Sequence, residues 1–149
     1  MGLHQSLWRL ALSRVINPDG IGKERTRLIK SVVLALRELM RQTEANDASR
    51  DLAAYIALAL VEIHDTVDVT VKAWEKRDYW LKADRFRMEW DWTARLSETM
   101  SRAVLAEDWG TVAMTSAQVA QKLMNVDVPV RHHLGTPWVG AWKQLKDGK

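Results

Sequence analysis

Residues 73–92 read AWEKRDYWLKADRFRMEWDW, and the winding of this stretch decides the fold. Four of the chain's eight tryptophans lie in it, with Tyr79 and Phe86 between them. Trp74, Asp78, Leu81, Arg85, Met88, Trp92 and Leu96 recur at spacings of three and four, the period of one helix face. Trp80, Ala83, Phe86, Trp90 and Ala94 keep the same period on a second face. A continuous helix places Trp90 and Trp92 on nearly opposite sides. Asp78–Lys82, Arg85–Glu89, Asp91–Arg95 and Glu98–Arg102 are opposite charges four residues apart, each worth roughly 0.2–0.5 kcal/mol to a helix. A surface helix needs one apolar stripe. A rod with large rings on two flanks needs cover on both. The expectation is an interface formed by Trp74, Trp80, Phe86, Trp90 and Trp92, in a homodimer or against another protein chain. A groove that stacks bases is the alternative use of the same rings.

Upstream, Leu52, Ile56, Ala59, Ile63, Val67, Thr70 and Trp74 carry a helical seam straight into the aromatic stretch. Asp65 to Val71 is β-branched and alternates polar with apolar, which in isolation reads as a strand. Its flanks hold the helical period, so helix is the expectation here too. Between Lys23 and Trp109 there is neither glycine nor proline. That favours long helices: one of up to about sixty residues from Asp47 to Glu107, or two that meet somewhere in 65–79.

Further toward the N-terminus, Asn46 or Asp47 caps this seam. Residues 22–42 form a preceding helix with two adjacent apolar stripes, Leu28-Val32-Ala35-Leu39 and Ile29-Val33-Leu36-Met40. Its opposite side carries Lys23, Arg27, Lys30, Leu34, Arg37 and Arg41. The five cations of that stripe are candidate contacts to phosphates of a nucleic acid. Glu24, Glu38 and Glu44 stand near enough in sequence to neutralise part of it. Residues 3–16 read as a first helix, stopped by Asn17-Pro18-Asp19-Gly20.

Toward the C-terminus, Asp108-Trp109-Gly110-Thr111 is the next punctuation. Thr111 is expected to cap a helix from Val112 to about Met124, whose Ala113, Ala117 and Ala120 allow close approach of a neighbour. A loop follows, and Thr136-Pro137 reads as the start of a short terminal helix docked by Trp138 and Trp142. The whole is expected to be a single all-α domain, a bundle of about four main helices plus the short C-terminal one.

The 149 residues include no cysteine, which excludes disulfides, thiolate metal sites and cysteine nucleophiles. The most apolar run, Leu52 to Val61, is half of what a bilayer crossing needs, and Arg9 and Arg14 interrupt the N-terminal apolar stretch. A cytoplasmic protein without a membrane span is the expectation. The formal net charge of +3 is concentrated in the first third of the chain. No phosphate-binding glycine loop and no nucleophile elbow occurs, so no catalytic residue, cofactor or metal ligand is assigned. His64 and Asp68 stand four apart, a pair short of the three or four ligands a metal site wants.

Glu44-x-x-Asp47 and Glu62-x-x-Asp65 are similar to the paired acidic motifs of all-α nucleoside triphosphate pyrophosphohydrolases of the MazG type. That resemblance implies carboxylates holding Mg²⁺ against substrate phosphates. The leading expectation remains a non-catalytic interaction or scaffolding protein. A nucleic-acid-binding accessory subunit is second, and the Mg²⁺-dependent pyrophosphohydrolase third.

Overall fold

A computed structural model describes residues 20–148. The expected helix at 3–16 and residues 17–19 of its stop lie outside these residues. Six helices follow one another in the described part: α1 (Ile21–Arg41), α2 (Asp47–Lys76), α3 (Trp80–Trp90), α4 (Trp92–Leu105), α5 (Trp109–Lys122) and α6 (Ala141–Asp147). The protein is an all-α helical bundle, with no strand among the described residues. No helix there is long and apolar enough to cross a membrane.

α2 is the axis. It packs against α1, α3, α4 and α6, while α5 leans on α4 and more lightly on α1. Its central position explains its composition. Leu52, Ile56, Leu60 and Ile63 are fully buried, and Ala53, Ala54, Ala57 and Ala59 let neighbours close in on several sides. The β-branched run at 65–71 is helical, as its flanks require. Asn46 caps α2, its side-chain oxygen accepting from the Ser49 N–H at 2.9 Å.

The chain turns at 77–79, inside the 65–79 window expected for a junction of two helices, and again at 106–108, the expected end of the long helix, both times without glycine or proline. At the end of α2, the Asp78 N–H donates to the Glu75 carbonyl at 3.0 Å, and the Tyr79 N–H to the Trp74 carbonyl at 2.9 Å. This is the Schellman arrangement, which closes a helix around one left-handed residue. Here that residue is Asp78, with φ of 63°. At the end of α4 the pattern repeats: Glu107 takes φ of 54°, donating to Val104, and Asp108 donates to Ala103. Asp108 then caps α5, accepting from the Thr111 N–H and hydroxyl.

A gentler interruption falls at Asp91, between α3 and α4. There the Thr93 hydroxyl donates to the Trp90 carbonyl at 2.7 Å. Such side-chain bonds to a helix carbonyl bend the chain. Trp90 and Trp92 are therefore not on opposite sides. Their rings stack, with centroids 6.0 Å apart and planes at 29°.

The terminal helix also departs from expectation. Thr136-Pro137 opens a turn, and the helix starts at Ala141 after Gly140 in a left-handed conformation, φ 84°. The cap comes from another element: the Asp51 carboxylate on α2 accepts the Gly140 N–H at 3.1 Å and the Trp142 N–H at 2.9 Å.

Candidate interaction surface

Five aromatic residues are expected at an interface, and the structure divides them. Trp92 is buried in the main core. Trp74, Phe86 and Trp90 are half-buried around Val67, Val71 and Ala83, a smaller core that α3 forms against the end of α2. Trp74 and Phe86 meet edge to face with centroids 5.1 Å apart, a geometry the ring quadrupoles favour. Trp80 is 56 % exposed. The chain's own helices thus cover most of the rings that seemed to need a second molecule in a straight rod. The breaks at 77–79 and at Asp91 make this possible, by letting α3 fold its inner face onto α2.

What α3 leaves outside is well defined. Ala83, Phe86 and Trp90 point inward. At ~100° per residue, Leu81 and Met88 fall on the diametrically opposite line. They are 65 % and 72 % exposed, next to the exposed Tyr79 and Trp80. Beside them Trp74, Trp80, Lys82 and Phe86 line an open hollow of about 840 Å³.

Charge around this surface is fixed by local pairs. Arg87 joins Asp84 at 2.7 Å and Glu75 of α2 at 2.8 Å, so it ties α3 to α2. The Lys82 ammonium lies 4.4 Å above the Trp74 ring, a favourable cation–π distance. On the inner side Arg25 of α1 donates to the Thr66 hydroxyl and carbonyl and to the Thr70 hydroxyl. Its guanidinium also sits 4.8 Å from the Phe86 ring centroid. Burial lowers its pKa from the ordinary arginine value. Of the four expected pairs four residues apart, Glu98–Arg102 forms, at 3.0 Å; Asp78 lies in the turn rather than on a helix with Lys82.

The five cations proposed to meet phosphates do not share one open stripe. Arg27 is paired with Glu24, and Arg41 with Glu38 at 2.7 Å. Arg37 donates to the Val128 carbonyl at 3.0 Å, holding the α5–α6 loop against α1. Leu34, in the middle of the stripe, is buried. Lys23 is exposed and Lys30 half-buried.

The two acidic motifs also lie apart. Glu44 sits in the α1–α2 turn and Asp47 opens α2. From Asp47 to Glu62 is 15 residues of continuous helix, or ~22 Å at ~1.5 Å each. One ion cannot bridge that span with ligand distances near 2 Å. Among the described residues no group of three or more His, Asp or Glu side chains is arranged to hold a metal. Glu62 is instead part of a charged cluster between α1 and α2. Burial, then the neighbouring Glu24, push its carboxyl up to about 7, with Arg27 opposing and Asp65 adding to the rise.

One feature was not read from the sequence. Leu36, Leu39, Met40, Trp109, Val112 and Ala117 line a largely apolar groove of about 430 Å³ between α1 and α5. Its walls were visible separately, as the second apolar stripe of α1 and the small residues of α5. That the two lie opposite one another is a property of the tertiary arrangement. Ala113 and Ala117 stay exposed in this groove, without the close neighbour expected for them.

No protein-family model matches this chain, and neither a curated protein nor a solved structure matches it.

Proposed function

We propose that the protein is a non-catalytic interaction module whose contact surface is the outer face of α3 with the adjoining α2–α3 turn. The observation that carries this reading is the contiguous set Tyr79, Trp80, Leu81 and Met88, all exposed, on a helix whose inner face is already packed. Large exposed apolar groups grouped together are the mark of a protein contact site. Tyrosine and tryptophan are also among the residues that dominate binding energy at such sites. The cytoplasm, where a chain without cysteine loses nothing, is the compartment that goes with it. The nucleic-acid alternative has less to support it, because the stripe is interrupted by the buried Leu34 and its Arg37 is held by the Val128 carbonyl.

A photo-crosslinking amino acid at position 81 tests the reading in the native cell. The expected result is a covalent adduct to a second polypeptide, either another copy or a different protein. The same group placed at the exposed Ala48, on the far end of α2, should give none. No adduct from position 81 would contradict the proposal.

A further inference from the structure

The charge pattern beside Leu81 and Met88 points to the occupant of this face: we infer that α3 binds α3 of a second copy, side by side and in parallel about a two-fold axis. The inference rests on the interaction reading above and names its partner.

Leu81 and Met88 are seven residues apart, one heptad, and mark the centre of the outer face. Asp84 lies ~50° to one side of that line and Arg85 ~50° to the other, by helical rotation. Both are exposed. The face is therefore an apolar centre with a negative flank and a positive flank at the same height.

Two symmetric pairings are open to such a helix. In an antiparallel two-fold, each flank meets its own kind. Asp84 then faces Asp84 of the second copy, and Arg85 faces Arg85, at the middle of the contact. In a parallel two-fold, each flank meets the opposite one. Asp84 then faces Arg85 of the second copy, twice, while Leu81 meets Leu81 and Met88 meets Met88. The parallel arrangement is the one in which the two charges nearest the apolar centre, Asp84 and Arg85, meet their opposites, and like charges placed opposite one another act against the alternative. The intrachain Asp84–Arg87 pair does not compete, because a carboxylate accepts from more than one donor. α3 has 11 residues, so the contact is short. It belongs to the weak, reversible class of interfaces.

The experiment uses the full chain, and variants Asp84→Arg and Arg85→Asp. Both sites are exposed, and circular dichroism verifies that each variant folds. Sedimentation velocity is run from low micromolar to the highest soluble concentration. Wild type should dimerise reversibly. Each single variant carries like charge on both flanks, and its self-association should weaken by about tenfold. An equimolar mixture of the two should form a mixed dimer, since a doubly positive face then meets a doubly negative one. The double variant Asp84→Arg/Arg85→Asp should dimerise again. A wild type that stays monomeric throughout, single variants that associate like wild type, or a mixture that fails to pair would each overturn the inference. If position 81 still crosslinks to a different polypeptide, the interaction reading survives that failure. If it crosslinks to nothing, both fall.

Discussion

Asp78 shows how a single residue can end a helix that its neighbours would continue. The left-handed backbone region costs a non-glycine residue roughly 1–2 kcal/mol, and aspartate is among the residues that tolerate it best. Two hydrogen bonds and the packing of α3 onto α2 compensate for the strain. Asp78→Gly should therefore stabilise the protein by about 0.5–1 kcal/mol, and Asp78→Val should destabilise it by about 1–2 kcal/mol. Urea unfolding midpoints give the comparison, and a destabilising glycine would mean that the turn is not under strain. Glu62 makes a second prediction. Its folded pKa, about 7, lies above the ordinary carboxyl value in the unfolded chain. The contribution of Glu62 to stability is thus greatest below about pH 4 and is lost as pH rises toward 7. Glu62→Gln stays neutral throughout. It should raise the melting temperature by several degrees at pH 8, from roughly 1–3 kcal/mol, and change it little at pH 4. An equal shift at both pH values would contradict the burial account.

At the scale of elements, two fastenings made across the bundle decide which helices stay docked. Asp51 caps α6 from outside its own segment. Removing it in Asp51→Ala should cost about 1–2 kcal/mol, the usual worth of a cap. Fluorescence should show Trp138 and Trp142 becoming more accessible to a soluble quencher before global unfolding. Arg25 fastens α1 to α2 and α3 at once. Arg25→Lys keeps the charge but loses the planar fork that reaches both threonines. It should lose about 1–3 kcal/mol in thermal or urea unfolding; an unchanged midpoint would show that Arg25 is not a clamp. These elements also show what a sequence can reveal. The helical seams of α1 and α2 were legible, because local periodicity reports directly on burial. The turn at Asp78 was bounded only to 65–79, because an acidic residue carries no strong signal for left-handed backbone, and the interruption at Asp91 carried no signal at all. The cap on α6 was placed at Thr136 for a related reason: the true partner, Asp51, is distant in sequence and adjacent only after folding.

At the scale of the whole molecule, the all-α bundle was legible, while the candidate site was legible only in part. The aromatic stretch draws the eye in the sequence, but a straight rod overstates what is exposed. Once α3 folds back, Trp92 belongs to the core, Trp74, Phe86 and Trp90 to a satellite of it, and Trp80 to the surface. Leu81 and Met88, which the tryptophans overshadow in the sequence, turn out to lie at the centre of the outward face. The groove between α1 and α5 needs two helices to exist, so neither helix announces it alone. The central claim is that α3's outer face is covered by another polypeptide in the native setting. Oxidative footprinting of methionines in the cell tests it most directly, since Met40, Met88, Met114 and Met124 are all comparably exposed in the single chain. The account predicts that Met88 is protected while Met40, Met114 and Met124 oxidise freely, and that dilution of the purified protein restores the reactivity of Met88. Oxidation of Met88 in the cell at the same rate as the other three would contradict it.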